Sequence, residues 1–129
     1  MVRNGILNPQ VNSLLSRVRH TNTLLITDRG FPYWPTVEIV DLSLVDNIPR
    51  VLDVLRAIRL NFSIGSIVMA EEFRPHNSPA VATEFAEATS GIEIQLIPHT
   101  ELKKRVPQAI GIIRTGDTTQ YANMILESR

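Results

Sequence analysis

The sequence predicts an α/β fold, in which a single domain over residues 1–129 places a mainly parallel, mixed sheet between two layers of helices. Short apolar runs of strand length alternate with amphipathic helical patterns, which is typical of parallel sheets with helical crossovers. Two of the runs are almost continuously apolar, as expected for strands buried on both faces. The last two runs lie too close together for a helical crossover, so one of them is expected to be antiparallel.

The first helix is predicted by a start signal and an apolar stripe. Asn8 can cap a helix that carries Pro9 in its first turn, where the missing N–H costs nothing. The stripe has the spacing i, i+3, i+4, i+7 and consists of Val11, Leu14, Leu15 and Val18. We expect this helix to end near Arg19 or His20, where the helix dipole would favour a protonated imidazole.

Two strands are predicted in the first half of the chain. Thr23 to Thr27 is a short apolar run of β-forming residues, of the kind found in a buried parallel strand. Val37 to Leu42 is a weaker candidate because Glu38 and Asp41 interrupt it. Pro49 is expected to open a helix in which residues 51 to 60 carry a wide apolar face.

The second half continues the alternation of strands and helices. Its predicted strands are Ile64–Ala70 and Ile92–Ile97, and two further apolar runs lie at Ala109–Arg114 and Asn123–Leu126, with a turn between them at Gly116 and Asp117. A helix is predicted from Ala80 to about Ala88, which Ser78 and Pro79 can start and Gly91 can stop. A short basic helix is predicted from His99 to Arg105. The sequence does not determine the order of the strands in the sheet.

Composition excludes several classes of function. Thirteen basic residues balance thirteen acidic ones, so there is no net field to hold a nucleic acid. The absence of cysteine excludes disulfides, thiolate metal sites and thiol nucleophiles. The beginning of the chain lacks the apolar stretch of a secretory signal, and no segment has the length of a membrane span, so a cytoplasmic protein is expected. The expected partner is a small molecule or another protein.

The sequence also lacks the common nucleotide, hydrolase and zinc motifs, which leaves an enzyme without a cofactor or a binding protein. Candidate functional residues are polar side chains close to the ends of the predicted strands, with one histidine at a helix end: His20, Asp28, Glu71, Glu72, His76, His99, Lys103, Tyr121 and Asn123. His20 and Asp28 flank the first strand, and our working hypothesis is that they face one polar pocket at the carboxyl edge of the sheet.

Each candidate also has a purely structural interpretation. His20 can bond backbone at the helix end, and Asp28 can form a turn. His99 and Lys103 share a helix face that can simply be solvated. The pairs Glu71–Glu72 and His76–Asn77 can act as caps or turn formers. No two of the three histidines have the spacing of metal ligands, so no metal is expected. Tyr33 and Trp34 can stack on a sugar or pack between subunits.

The candidates occur in an order that resembles a known family. The matching blocks are His20-Thr-x-Thr followed by Asp28-x-Gly-x-Pro32, then Ala70-Glu-Glu with His76-Asn77, then His99 with Lys103, and finally Arg114-Thr-Gly116 and Tyr121-Ala-Asn123-x-Ile-Leu126. Together they resemble the family of D-ribose pyranases and L-fucose mutarotases over almost the whole chain. His99 with Lys103, and the alanine between Tyr121 and Asn123, are more similar to the ribose branch.

The resemblance implies an isomerase without a cofactor that interconverts the pyranose and furanose rings, or the anomers, of a free aldose such as D-ribose. It implies that His20 is the catalytic acid/base. It also implies that the sugar-binding residues are Asp28, His99, Lys103, Tyr121 and Asn123. It also implies a ring-shaped homo-oligomer, usually a decamer, with active sites between neighbouring subunits. The alternatives are a non-catalytic sugar-binding or transport-associated protein that uses the same pocket, and an oligomer whose site has decayed.

Overall fold

The computed structural model describes all residues, 1–129. The six strands are β1 (Thr23–Thr27), β2 (Ile39–Asp41), β3 (Ile64–Ala70), β4 (Glu93–Ile97), β5 (Gly111–Arg114) and β6 (Met124–Ser128). The four α-helices are α1 (Pro9–Arg17), α2 (Val51–Arg59), α3 (Pro79–Ala88) and α4 (His99–Arg105). Two short 3₁₀ turns, Glu71–Phe73 and Val106–Gln108, follow β3 and α4.

All six strands pair in one sheet, in the order β2-β5-β1-β6-β3-β4. Strand β6 is antiparallel to both of its neighbours, β1 and β3, whereas the other pairs are parallel. The mixed, mainly parallel sheet and the antiparallel strand among the last two runs are therefore confirmed. Because β6 runs against its neighbours, it begins at the edge of the sheet where β1 and β3 end.

Alternate residues of the strands face two separate apolar clusters. Leu24 and Ile26 of β1 lie in the larger cluster, with side chains from α1, α2 and α3. Leu25 lies in the smaller cluster, with Leu102 of α4 and with Phe31 from the loop after β1. Since strand residues alternate between faces, these clusters lie on opposite sides of the sheet and produce the three layers.

Helix α1 begins as expected and ends earlier. The Asn8 side chain accepts a hydrogen bond from the Val11 N–H at 2.9 Å. The backbone of Val18 is already extended, so the helix ends at Arg17 and the prediction of an end near Arg19 or His20 is wrong. His20 instead lies in a turn closed by a bond from the Asn22 N–H to the Arg19 carbonyl. The dipole of α1 therefore does not act directly on His20.

The remaining boundaries differ from the predictions by a few residues. Strand β2 is shorter than the predicted Val37–Leu42, because Val37 still belongs to the preceding loop, where its N–H bonds the Trp34 carbonyl at 3.2 Å. Strand β4 is the outermost strand of the sheet, beside β3, and is largely exposed. The longest helix, α3, has ten residues, and none of the helices has the length and apolar character needed to cross a bilayer.

Candidate active site

One edge of the sheet collects most of the candidate side chains. Asp28 follows β1, Glu72 lies in the turn after β3, and His99 follows β4. Because β6 is antiparallel, Tyr121 and Asn123 precede it at this same edge. The topology thus brings together residues that are up to 95 positions apart in the sequence, as for Asp28 and Asn123.

Asp28, His99, Tyr121 and Asn123 line an open cavity of about 280 Å³, whereas Glu72 lies outside it. Its lining consists of Asp28, Gly30, Phe31, Pro32, His99, Gln120, Tyr121 and Asn123. Four of the six residues named from the sequence as catalytic or sugar-binding therefore meet at one place. Phe31 and Gln120 were not among the sequence candidates, although each lies in a loop that carries one.

Asp28 and Asn123 form the best-defined contact at the cavity. The Asn123 amide oxygen accepts the backbone N–H of Asp28 at 2.9 Å, and its amide nitrogen donates to the Asp28 carboxylate at 3.2 Å. The other carboxylate oxygen of Asp28 accepts the Gly30 N–H at 2.9 Å, so the turn-forming interpretation also holds. Asn123 is only 2% exposed, and it fixes both the backbone and the carboxylate of Asp28.

The surroundings of Asp28 make its carboxylate more basic than an ordinary aspartate. Burial raises the pKa of the Asp28 carboxyl, and the nearby charge of Asp117 acts in the same direction. Hydrogen bonds from Gly30, Asn123 and Phe31 oppose this shift by stabilising the carboxylate. A carboxylate of raised basicity at a cavity wall can accept a hydrogen bond from a sugar hydroxyl, and it can also take the proton of that hydroxyl.

His99 presents an imidazole that is held by other rings. Phe31 lies 6.2 Å away and Tyr121 5.2 Å away between ring centroids, and both rings are nearly perpendicular to the imidazole. The Nδ1 atom is buried without a partner, which leaves Nε2 as the nitrogen available to a ligand. Burial lowers the pKa of His99, Lys103 lowers it further, and the carboxylates of Glu72 and Asp28 oppose the shift. The neutral ring is therefore favoured.

Tyr121 adopts a backbone conformation that side chains rarely use, with φ at 56°. This conformation places its ring between His99 and His76, whose centroid lies 4.9 Å away. Strained backbone of this kind is commonly found at functional sites. Lys103 is half-buried one turn after His99 and does not line the cavity, but its charge reaches the imidazole of His99.

The structure corrects the placement of His20. His20 precedes β1 and Asp28 follows it, so a strand of five residues, roughly 16 Å long, separates them. The neighbouring Thr21 N–H bonds the carbonyl of Ser128, at the far end of β6. Within one chain, the hypothesis that His20 and Asp28 face the same pocket is therefore wrong, because they lie at opposite edges of the sheet. His20 is exposed.

Several structural alternatives hold for the other candidates. The Nδ1 atom of His76 bonds the Glu72 carbonyl at 2.8 Å, and the amide of Asn77 bonds the carbonyls of Phe73 and Gln120, so this pair shapes the turn. Trp34 packs against the smaller apolar cluster, whereas Tyr33 is 79% exposed. No group of three or more histidine, aspartate or glutamate side chains is arranged to hold a metal ion.

Comparisons with known proteins are consistent along the whole chain. The sequence profile of the RbsD / FucU transport protein family matches residues 1–128. A D-ribose pyranase of Geobacillus kaustophilus is 40% identical over 128 residues, which cover 99% of this chain and 93% of the relative. A D-ribose pyranase of Chromobacterium violaceum is 40% identical over 129 residues, with coverages of 99% and 97%.

Solved structures show the same fold. The structure of Bacillus subtilis RbsD complexed with D-ribose superposes with a TM-score of 0.91 at 31% identity, covering 99% of this chain and 97% of that one. The fucose mutarotase of Streptococcus pneumoniae, solved in complex with L-fucose, gives a TM-score of 0.83 at 17% identity, with coverages of 98% and 97%. At that identity the second comparison supports the fold alone.

Proposed function

The chain belongs to the RbsD / FucU transport protein family, and on this basis we propose that it is an isomerase that interconverts the pyranose and furanose rings, or the anomers, of a free aldose. The observation that carries the proposal is the meeting of Asp28, His99, Tyr121 and Asn123 at one cavity. The relatives named as D-ribose pyranases, 40% identical along almost the full length, favour D-ribose or a related monosaccharide as the substrate.

The chemistry requires only proton transfer. To open a cyclic hemiacetal, a proton is delivered to the ring oxygen and another is removed from the anomeric hydroxyl. The ring then closes when a different hydroxyl attacks the aldehyde, which changes the ring size, or when the same hydroxyl attacks its other face, which gives the other anomer. We propose that His20 carries the proton, because an imidazole can both donate and accept one near neutral pH. No electron or group leaves the sugar, so the reaction needs no cofactor.

The sugar-binding residues contribute complementary groups. Asp28 accepts hydrogen bonds from sugar hydroxyls, and the neutral ring of His99 offers its Nε2 atom to the sugar. Tyr121 supplies both an aromatic face and a hydroxyl, and Asn123 holds Asp28 in place. Lys103 does not line the cavity, and its role in this proposal is to supply a positive charge close to His99 and a donor that can reach the sugar.

His20 can serve this cavity only from a second copy of the chain. It lies at the opposite edge of the sheet from Asp28 and is exposed, so a neighbouring subunit could present it to the cavity. We therefore propose a homo-oligomer in which each active site lies between two subunits. A ring-shaped decamer is the assembly that the family resemblance suggests.

Exchange NMR tests the reaction directly. Saturation transfer between the pyranose and furanose signals of ribose, and of a panel of other aldoses, should increase when the protein is added. The variant His20→Ala should abolish the increase while retaining the fold, whereas Arg19→Ala, an exposed neighbour in the same turn, should retain it. Exchange that is unchanged by the wild-type protein for every aldose would refute the proposal.

The second candidate function is a non-catalytic, transport-associated sugar binder. The family description, which names transport proteins, favours it. Binding of an aldose in calorimetry without any change in the exchange rate would support this alternative, and neither binding nor exchange would indicate a decayed site. The cytoplasmic location stays a prediction, which fractionation of cells that express the protein would test.

A further inference from the structure

A carboxylate outside the cavity holds the backbone of a residue inside it. Both carboxylate oxygens of Glu72 accept the backbone N–H of His99, at 3.0 and 3.1 Å. Glu72 lies in the 3₁₀ turn after β3, and His99 begins α4 directly after β4. Since β3 and β4 are adjacent parallel strands, this contact ties together the two segments that leave the sheet there.

Helix α4 has no local residue that could supply this bond. The position before His99 is Pro98, whose side chain has no acceptor, and the helix has no cap from a side chain of its own segment. An N–H at the first turn of a helix lacks a partner within the helix, and an anion is favoured there by the helix dipole. Glu72 therefore supplies the missing cap from a neighbouring strand.

The imidazole of His99 has no polar anchor of its own. Its Nδ1 atom is buried without a hydrogen-bond partner, and the rings of Phe31 and Tyr121 pack nearly perpendicular to it. Aromatic contacts tolerate sliding more readily than hydrogen bonds do, because their energy depends less sharply on position. The place of the imidazole therefore depends on where the backbone of His99 is held.

The same turn supports the neighbouring ring. The carbonyl of Glu72 bonds the Nδ1 atom of His76, and the His76 ring packs 4.9 Å from Tyr121. Tyr121 in turn contacts His99. Glu72 thus supports two rings of the cavity wall. Its side chain bonds the backbone of His99, and its carbonyl bonds His76, which packs on Tyr121.

From this geometry we infer that Glu72 is a positioning residue of the site: its carboxylate, bonded to the His99 N–H, fixes the imidazole of His99 against the sugar cavity. The inference rests on the proposed function for its effect on rate, whereas its effect on His99 can be measured without any substrate.

The groups that face His99 predict how the charge of Glu72 acts. Burial lowers the pKa of His99 most, Lys103 on the same helix lowers it further, and Glu72 and Asp28 raise it. The rings of Tyr121 and Phe31, which pack on the imidazole, carry no full charge. Removing the negative charge of Glu72 should therefore lower the pKa of His99 further. The pKa of His99 thus reports whether the Glu72 charge acts on the ring, and the rate of Glu72→Ala reports whether the carboxylate positions it.

The experiment compares three variants. Glu72→Ala removes both acceptor oxygens and should lower kcat/KM for aldose exchange by about ten- to a hundredfold, since small displacements of a binding group cost that much. Glu72→Gln keeps one acceptor and should remain within about threefold of wild type, while NMR titration shows the pKa of His99 displaced downwards. Glu71→Gln is the matched control, because the Glu71 side chain is adjacent, exposed and makes no hydrogen bond, so this variant should change neither quantity.

The outcomes separate the two proposals. Three results would each overturn the role of Glu72. They are a wild-type rate of aldose exchange in Glu72→Ala, a rate in Glu72→Gln as low as that in Glu72→Ala, and an unchanged pKa of His99 in Glu72→Gln. If Glu72→Ala does not fold, the rate and titration of Glu72→Gln still decide. If the wild-type protein exchanges no aldose, the proposed function fails, and the titration of His99 in Glu72→Gln alone tests whether Glu72 acts on this ring.

Discussion

At the scale of single residues, the site depends on a buried amide that holds a half-buried carboxyl. Asn123 uses its oxygen on the Asp28 backbone and its nitrogen on the Asp28 side chain. No other residue type of this size offers a donor and an acceptor in one planar group. Aspartate at position 123 would place a second carboxylate against the first, and leucine would offer no polar group at all.

The variant Asn123→Ala should lower both stability and activity. It leaves the Asp28 N–H without its acceptor, which costs about 1–3 kcal/mol of the free energy of unfolding. It also removes a donor that stabilises the carboxylate, so the pKa of Asp28 should rise further than burial already raises it. Urea unfolding, carboxyl ¹³C NMR and aldose exchange measure the three effects.

The sign of the pH dependence follows from this raised pKa. The folded state holds the Asp28 proton more tightly than the unfolded state, so this group's contribution to stability is lost as the pH rises from the ordinary aspartate range through the raised pKa. In Asn123→Ala that loss should extend to higher pH. The control Asn61→Ala, at an exposed position, should leave the pH dependence of the free energy of unfolding unchanged. The same pH dependence in both variants would contradict the assignment of this effect to Asp28.

At the scale of elements, helix α2 is capped by a residue far away in the sequence. The buried carboxylate of Asp117, 2% exposed, accepts the Val51 N–H at 2.9 Å and the Thr119 N–H at 2.8 Å. Asp53 caps the same helix from within, by accepting the Arg50 N–H at 2.8 Å at the exposed surface. The loop between β5 and β6 is thereby joined to α2.

The variant Asp117→Ala should destabilise the protein more than Asp53→Ala does. Loss of Asp117 leaves a buried helix N–H unsatisfied, which costs about 1–3 kcal/mol. Loss of Asp53 exposes an N–H that water can satisfy, at the lower end of a cap's usual value, about 0.5 kcal/mol. Denaturation of the two variants side by side gives the comparison, and an equal loss would show that Asp117 is not the principal cap.

The same example shows what the sequence can and cannot predict. Strands β1 and β3 and helix α2 follow from local apolar patterns, and their bounds agree closely with the predictions. The sequence places Asp117 only in a turn, because its partner lies 66 residues away. The cap that Glu72 provides for His99, 27 residues away, is hidden for the same reason. Contacts between distant segments depend on strand order, which local patterns do not encode.

At the scale of the whole molecule, strand direction decides which residues can meet. Five strands run one way and bring Asp28 and His99 to one edge, and the reversed β6 adds Tyr121 and Asn123 there. His20 precedes β1 and is therefore left at the other edge. Four of the residues named from the sequence line the cavity. The working hypothesis placed His20 there as well, because proximity along the chain is a poor guide across a strand.

Mixed oligomers test whether His20 and Asp28 act across two chains. The variants His20→Ala and Asp28→Asn should each be inactive alone. When they are unfolded together in equal amounts and reassembled, a site between subunits receives an intact His20 and an intact Asp28 from different chains in about one quarter of cases on random assortment. Aldose exchange should therefore return to about a quarter of the wild-type rate.

A second mixture distinguishes the two arrangements of the site quantitatively. Wild-type chains are reassembled with an equal amount of the double variant His20→Ala/Asp28→Asn. About one quarter of all sites in the mixture should be intact if each site joins two chains, and about one half if each site lies within one chain. Mass spectrometry of the reassembled oligomers establishes that the chains have mixed. Activity of one half in this mixture, with none in the mixture of single variants, would place both groups in one subunit, which the length of β1 forbids for this fold.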